Sequence, residues 1–471
     1  MDSIFNHRDL ASILDEIQEV YREYDHPWVI GYSGGKDSTA TLQLIWQAIA
    51  RLPEDERTKH VHVISTNTLV ETPAIVDHVQ STHRRIEAQA AKDNMPFTTH
   101  ILEPQVDHTF WVNLIGRGYP APNNIFRWCT DRMKIQPSNR FILSKVGKHG
   151  NVILALGSRR GESATRDQVL NTHRVPGMVL ARHGQLHGAW VYMPVEHFTV
   201  DDIWKYLISV ESPWGNDNRK LAHMYQTAQD GECPVVVDTT TPSCGNSRFG
   251  CWTCTVVEKD QSMQAMIDSG SDWMQPLIDF RDWLKDTQDP EVKPEQREFK
   301  GRDGTVKIRE SGKLLYRTYK LDFSKKMLRR LLETQQKIWE QKPDYEELIS
   351  KAELHRIRQL WINERQDWED SLPGIYEDVT GEQLNWHRDD MSKPGQVEAE
   401  VLSNVADEHD IPENLLRKLI DTEWQHHGMR RRGTIHKDIA RILGEDWRTE
   451  EEVKAEAERK KAEYNAEPVA T

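Results

Sequence analysis

The sequence lacks long apolar runs and has few cysteines. It contains no stretch of about 18 apolar residues, which a membrane-spanning helix requires, and its N-terminus lacks the apolar core of a signal peptide. Four of the five cysteines fall between positions 233 and 254, a distribution too clustered for a disulfide scaffold. We therefore expect a cytoplasmic protein, with no membrane partner, whose clustered cysteines bind a metal.

A basic surface is also absent overall. The chain has 75 acidic and 61 basic residues, a formal net charge of −14. This charge argues against a polyanion-binding surface over the whole molecule, although it is compatible with a local basic groove. At 471 residues the chain exceeds what one hydrophobic core organises, so two or three domains are expected.

Apolar runs and helical periodicity alternate through the first half of the chain. Short β-like runs are predicted at residues 27–32, 61–64, 97–102, 152–156 and 190–193. This alternation predicts an α/β fold with a parallel sheet covered on both faces and ligands at the carboxyl ends of the strands. After Cys254 the pattern changes to charged helices, with β-like pieces between residues 297 and 320.

A glycine-containing loop joins the first strand to the helix that follows it. The loop consists of Ser33, Gly34, Gly35, Lys36, Asp37, Ser38 and Thr39. Its glycines allow successive N–H groups to face one anion at the helix N-terminus, and its hydroxyls add donors. Asp37 suits Mg²⁺ held against a triphosphate. A Walker A loop is excluded because no glycine lies five positions before Gly35. Helix capping alone explains one or two of these residues, not six in this order.

This loop resembles that of the N-type ATP pyrophosphatases, enzymes that adenylate a substrate oxygen and release pyrophosphate. Segments 71–73, 127–137, 157–166 and 193–207 resemble the phosphoadenosine-phosphosulfate (PAPS) reductase family, a branch of the same fold. The resemblance covers about residues 25–210 and implies an adenine nucleotide alpha hydrolase-like core. Such reductases carry a catalytic cysteine near their C-terminus, whereas no cysteine follows Cys254 here.

Three arginines follow the predicted strand at 152–156. Arg159, Arg160 and Arg166 can hold phosphates or a carboxylate at the strand end. The alternative is a set of surface arginines paired with Glu162 and Asp167. We favour the phosphate role because such folds bind ligands at strand ends.

The clustered cysteines form the second strong signal. Cys233, Cys244, Cys251 and Cys254 are separated by ten, six and two residues. Four thiolates can hold zinc or a [4Fe–4S] cluster, and spacing alone does not distinguish them. Together the loop, the reductase-like core and this spacing resemble the DndC family of DNA phosphorothioation sulfurtransferases, whose single-strand counterparts share the core. The resemblance implies a [4Fe–4S] cluster on these four cysteines, DNA as substrate, and a cysteine desulfurase and other phosphorothioation subunits as partners.

Cys129 lies outside this cluster. A lone cysteine is by default a small buried hydrophobe, but Arg127, Arg132 and Lys134 flank this one and are expected to lower its thiol pKa. We hypothesise that Cys129 accepts persulfide sulfur or contacts the reacting phosphate.

Two stretches are basic against the acidic background. Residues 300–330 contain eleven Lys/Arg and three Asp/Glu, and a second patch covers 426–437. Such patches can hold a nucleic-acid backbone. A solvated face, or a surface for an acidic partner, is slightly favoured over DNA contact.

These observations predict four segments. They are an ATP pyrophosphatase/PAPS reductase-like domain (1–230), a four-cysteine segment (231–257), a helical and basic extension (258–375) and a helical C-terminal region (376–471). The predicted function is ATP-dependent phosphorothioation: ATP held with Mg²⁺ adenylates a DNA phosphate oxygen, and sulfur then displaces AMP. The alternatives are a PAPS or adenylyl-sulfate reductase, a tRNA thiolase, or a non-catalytic nucleotide-sensing assembly subunit.

Overall fold

The computed structural model describes residues 2–161, 164–227, 250–384, 386, 396–427, 429 and 433–466. The chain folds into two compact units. The first comprises Met1–Gln105 and Pro122–Ile278, and the second comprises Val106–Ala121 and Asp279–Thr471. The four segments named from the sequence stay a prediction.

A six-stranded sheet forms the centre of the first unit. Its strands are β1 (Trp28–Gly31), β2 (Val61–Thr66), β3 (Phe97–Leu102), β4 (Val152–Ala155), β5 (Ala181–Arg182) and β6 (Ala189–Tyr192). Their order is β3-β2-β1-β4-β6-β5, and every pair is parallel except β5 with β6. The chain proceeds outward in opposite directions from β1 and β4, and such a switch point is where open α/β sheets bind ligands. The predicted α/β class is confirmed.

Helices cover this sheet on both faces. They are α1 (Leu10–Glu23), α2 (Lys36–Ala50), α3 (Pro73–Lys92), α4 (Trp128–Thr130), α5 (Gln136–His149), α6 (Ala164–His173), α7 (Val200–Ser209), α8 (Asn218–Thr227) and α9 (Gln261–Asp268), with a π-helical turn, Asp131–Ile135, between α4 and α5. Alternate strand residues enter different cores: Ile30 and Ile153 belong to one hydrophobic cluster, Val29 and Leu154 to the other. Burial on both faces explains the continuous apolar runs of these strands.

The second unit is mainly helical among the residues that the structure describes. Its helices are α10 (Gln275–Asp286, which begins in the first unit), α11 (Lys293–Gln296), α12 (Leu321–Gln341), α13 (Lys351–Glu364), α14 (Ser371–Thr380), α15 (Gln396–Glu408), α16 (Glu413–His426), α17 (Ile435–Leu443) and α18 (Glu450–Ala466). The β-like pieces at 297–320 form isolated antiparallel bridges, with turns at Gly304 and Gly312. Across the described ranges, no helix has the length and apolarity needed to cross a membrane.

Candidate nucleotide and thiol site

The loop between β1 and α2 is held by its own hydroxyl groups. Gly34 has φ +76°, and a side chain there would approach Val79 Cγ2 to 2.9 Å, so both conformation and space require glycine. The Gly35 carbonyl accepts hydrogen bonds from Ser38 Oγ at 3.0 Å and Thr39 Oγ1 at 2.9 Å. Ser33 donates its backbone N–H to Ser38 Oγ at 3.2 Å. These hydroxyls therefore rigidify the loop and leave its backbone N–H groups as the principal donors for an anion.

Two cations hold the carboxylate of Asp37. Arg159 Nε donates to Asp37 Oδ1 at 2.6 Å, and Lys36 Nζ donates to Oδ2 at 3.0 Å. The side chains of Arg159 and Asp37 are only 7% and 19% exposed, so water screens their attraction weakly. Asp37, predicted from the sequence to hold Mg²⁺, is here the residue that orients Arg159. A magnesium ion bound to Asp37 would share this carboxylate with the two cations.

A close approach of backbone brings Arg159 to the loop. Gly157 follows β4, and a Cβ at this position would lie 2.8 Å from the carbonyl carbon of Asp37 and 2.9 Å from Ser38 N. Only glycine lets the segment after β4 pass so close to the start of α2. Gly157 thus allows the chain that carries Arg159 to pack against the loop, a role that the motif at 157–166 alone did not predict.

Two of the three predicted phosphate-binding arginines, Arg159 and Arg160, have different partners. Arg159 contacts the loop, whereas Arg160 Nε donates to Glu196 Oε1 at 2.7 Å. Its Nη1 donates to Asn171 Oδ1 at 3.2 Å. Arg166 lies in α6, and its side chain is outside the described part of the chain. Arg160 therefore has a carboxylate partner, as the alternative interpretation expected, and in the described part of the chain that partner is Glu196.

Two residues beside the loop carried no sequence signal. The hydroxyl of Tyr225 in α8 accepts the backbone N–H of Lys36 at 3.3 Å, across 189 positions of sequence. Lys36 Nζ also lies 5.2 Å from the centre of the Tyr225 ring, within cation–π range. His78 of α3 lies beside Gly34, and burial lowers the pKa of its imidazole. No motif predicts such partners, because long-range folding brings them to the loop.

The described part of the cysteine segment pairs with the chain that follows β2. Cys251 forms an antiparallel bridge with Glu71, and Trp252 N–H donates to the Val70 carbonyl at 2.9 Å. Thr68 Oγ1 lies 3.3 Å from Cys251 Sγ. Glu71, predicted from its Glu-Thr-Pro motif to be part of the reductase-like core, is thereby placed next to a clustered cysteine.

Cys129 and Lys134 join these thiols from the α4–α5 segment. Burial raises the pKa of Cys129, and the Cys254 thiol nearby raises it further. The expected lowering of this pKa by basic neighbours is therefore wrong: desolvation disfavours the thiolate more than the hydrogen bonds from Thr130 favour it. Lys134 Nζ lies 3.3 Å from Glu71 Oε1. Burial opposes the charge of Lys134, but Cys251 and Glu71 outweigh it and raise the pKa to about 12.

The fit of a metal cluster can be judged on two of its four predicted ligands. Cys233 and Cys244 lie outside the described residues, which themselves contain no group of three side chains able to hold a metal. Cys254 N–H donates to the Cys251 carbonyl at 3.0 Å, closing a turn, and both thiols are free of disulfides. Between them the Thr253 hydroxyl is buried with no hydrogen-bond partner in the described structure. Such an orphaned donor between two thiols fits a loop that surrounds a cluster.

Five of the eleven basic side chains at 300–330 form ion pairs inside the second unit. These pairs are Lys300–Glu445, Arg302–Glu364, Lys320–Glu450, Lys325–Asp367 and Arg329–Asp378. Lys307, Arg309 and Lys313 are exposed. Of the second patch, Arg430, Arg431 and Arg432 lie outside the described residues. This pairing leaves fewer charges for DNA than the composition suggested.

Residues 27–257 match the family model of the phosphoadenosine phosphosulfate reductase domain. This part of the chain is a PAPS reductase domain. The matched range includes all four clustered cysteines as well as the loop. Residues 27–257 therefore share the domain family of the PAPS reductases.

Individual relatives are distant. The uncharacterized protein MJ0066 of Methanocaldococcus jannaschii is 22% identical over 242 residues, which are 51% of this chain and 39% of that protein. The PAPS reductase of Candida auris is 15% identical with a TM-score of 0.27, covering 46% of this chain and 91% of that one. The U34-tRNA thiolase NcsA of Methanococcus maripaludis, solved with its [4Fe-4S] cluster, is 13% identical with a TM-score of 0.27, covering 60% and 83%.

Proposed function

We propose that this protein is an ATP-dependent sulfurtransferase that adenylates a phosphate oxygen of DNA and then replaces AMP by sulfur. One observation supports both steps. The ATP loop follows β1, the thiol-bearing segment pairs with the chain after β2, and Arg159 follows β4. These three strands are neighbours whose carboxyl ends lie at one edge of the sheet. A nucleotide-activating loop and a group of thiols on adjacent strands suit a reaction that activates an oxygen and then substitutes sulfur.

In the first step the backbone N–H groups at the start of α2 hold the phosphates of ATP. The DNA oxygen attacks the α-phosphorus, the bond to pyrophosphate breaks, and the pyrophosphate leaves with its electron pair. Arg159, kept in place by Asp37, stabilises the negative charge that develops in this step. Lys36 contributes a second cation next to the same carboxylate.

In the second step a sulfur nucleophile attacks the adenylated phosphorus and AMP leaves. We assign Cys129 to this step, either as a contact to the reacting phosphate or as the acceptor of persulfide sulfur from a cysteine desulfurase. In the second case the outer sulfur of the persulfide bonds to phosphorus, and a second thiol then cleaves the sulfur–sulfur bond, which leaves a phosphorothioate on the substrate and a disulfide on Cys129 that an external thiol reduces. Cys233, Cys244, Cys251 and Cys254 would hold a [4Fe–4S] cluster, with zinc as the alternative metal. Such a cluster, when bound, supplies redox chemistry, sulfur relay or structural support.

The choice of DNA rests on the spacing of the cysteines and its resemblance to the DndC family. Other phosphorothioation subunits are proposed as partners on the same ground. The domain match also fits a second candidate, reduction of PAPS to sulfite, against which the absence of a cysteine after Cys254 counts, and a tRNA thiolase would share the adenylation step. These candidates differ in their products, so product analysis separates them.

The test supplies the anaerobically purified full chain with ATP or with PAPS and measures AMP, pyrophosphate and sulfite. We expect AMP and pyrophosphate from ATP, lost in Asp37→Ala, with stimulation by DNA and not by tRNA. Sulfite from PAPS with unconsumed ATP would make the protein a reductase. Binding of ATP without turnover, even with DNA and a cysteine desulfurase present, would favour the assembly-subunit alternative.

A further inference from the structure

The hydroxyl of Tyr225 lies directly against the N-terminus of α2. It accepts the Lys36 backbone N–H at 3.3 Å, and a Cβ built on Gly35 would lie 3.0 Å from it. The ring of Tyr225 packs edge-to-face on Trp204 of α7, with centroids 5.3 Å apart at 78°. A side chain from α8 therefore covers the backbone that follows Gly34.

The Lys36 N–H is one of the donors that a nucleotide would need. The first N–H groups of a helix have no partner within the helix, and they are the groups through which such a loop binds phosphate. A phosphate oxygen must come within about 3 Å of the same nitrogen. It cannot take that position while the Tyr225 oxygen is the acceptor of this N–H.

We propose that Tyr225 gates the nucleotide site: its hydroxyl is exchanged for a phosphate oxygen when ATP binds, and α8 shifts as the ring moves. This inference rests on the proposed use of ATP.

The first test is the affinity of the full chain for Mg-ATP, measured by calorimetry. Tyr225→Phe removes the competing oxygen and keeps the ring that faces Trp204 and Lys36. We expect the dissociation constant for ATP to fall by about threefold to tenfold, the value of one neutral hydrogen bond. A merely structural tyrosine would give the opposite sign, since its loss weakens binding.

A matched control acts on the other end of the same helix. Tyr206→Phe removes a hydrogen bond of 3.1 Å from the Tyr206 hydroxyl to Gln47 of α2, and we expect it to leave ATP affinity unchanged. Trp204 supplies a second readout: ATP should change the protein's intrinsic fluorescence, and Trp204→Phe should remove most of that change.

The two possible failures are distinguishable. Wild-type protein that binds no ATP would overturn the proposed function together with this inference. Wild-type protein that binds ATP, with equal or weaker binding by Tyr225→Phe, would overturn the gate alone and leave ATP use intact. Tighter binding by Tyr225→Phe with a Trp204-dependent signal in the wild type supports the gate.

Discussion

Replacing Asp37 by asparagine tests the central contact of the site. Asp37→Asn keeps the shape of the side chain and one acceptor oxygen but removes the charge that holds Arg159. The contact is 2.6 Å long and Arg159 is 7% exposed, so the hydrogen bond belongs to the charged and poorly solvated kind. Such bonds contribute about 1.5–3 kcal/mol. At 1.36 kcal/mol per factor of ten, pyrophosphate release should slow by about 13-fold to 160-fold.

The assay is pyrophosphate release for Asp37→Asn, Arg159→Gln and the double variant. If the two residues act as one unit, the double variant should be about as slow as the slower single variant. Asp370→Asn is the matched control, because Asp370 accepts from Arg358 at 2.6 Å with similar burial but lies in the second unit. It should lower thermal stability without slowing pyrophosphate release. Strictly multiplicative effects of Asp37→Asn and Arg159→Gln would refute the reasoning.

Three further outcomes are expected. Gly157→Ala should slow pyrophosphate release and destabilise the protein by about 1–3 kcal/mol, since its Cβ would lie 2.8 Å from backbone atoms. The control variant Gly147→Ala, whose Cβ has no neighbour within 4 Å, should change neither the rate nor the stability. Burial lowers the pKa of His62 to about 4, so the unfolded chain binds this proton first and the free energy of unfolding should decrease as pH falls from about 6.5 to 4. His62→Gln should reduce this dependence of the free energy of unfolding on pH, as measured by urea titrations. Cys254→Ser should lower the iron content of anaerobically purified protein, whereas Cys129→Ser should retain iron and lose sulfur transfer.

For each of these variants, the opposite result would show which assumption is wrong. An unaffected Gly157→Ala variant would mean that the segment after β4 moves away from the loop at little cost. An unchanged pH slope in His62→Gln would assign acid sensitivity to other groups. Sulfur transfer retained in Cys129→Ser would remove this residue from the mechanism, and iron lost from the same variant would make it a metal ligand.

The elements that could be predicted are those whose causes are local. The run at 152–156 is apolar because its strand is buried, and the predicted bounds of this strand and of β3 lie within one residue of the observed ones. The loop was predictable because the φ of +76° at position 34 favours glycine, and this preference is visible in the local sequence. Strand β5 was missed, since two residues at a sheet edge leave no periodic pattern.

The contacts that could not be predicted depend on distant parts of the chain. Tyr225 accepts a hydrogen bond from Lys36, 189 positions away in the sequence, and Glu196 accepts one from Arg160, 36 positions away. Neither pairing leaves a trace in local sequence. The pKa of Cys129 was assigned the wrong direction because flanking cations are visible in sequence whereas burial is not.

The two roles considered for Asp37 make different demands on magnesium. If the carboxylate binds Mg²⁺ directly, Asp37→Asn should raise the Mg²⁺ concentration that half-saturates pyrophosphate release, and excess Mg²⁺ should restore much of the rate. If the carboxylate orients Arg159, that concentration should stay unchanged while kcat falls, because Arg159 acts on charge that develops in the reaction. Both oxygens of Asp37 already accept from cations, Lys36 and Arg159. A magnesium titration of Asp37→Asn should therefore give the second pattern, and recovery of activity at high Mg²⁺ would return Asp37 to the role of metal ligand.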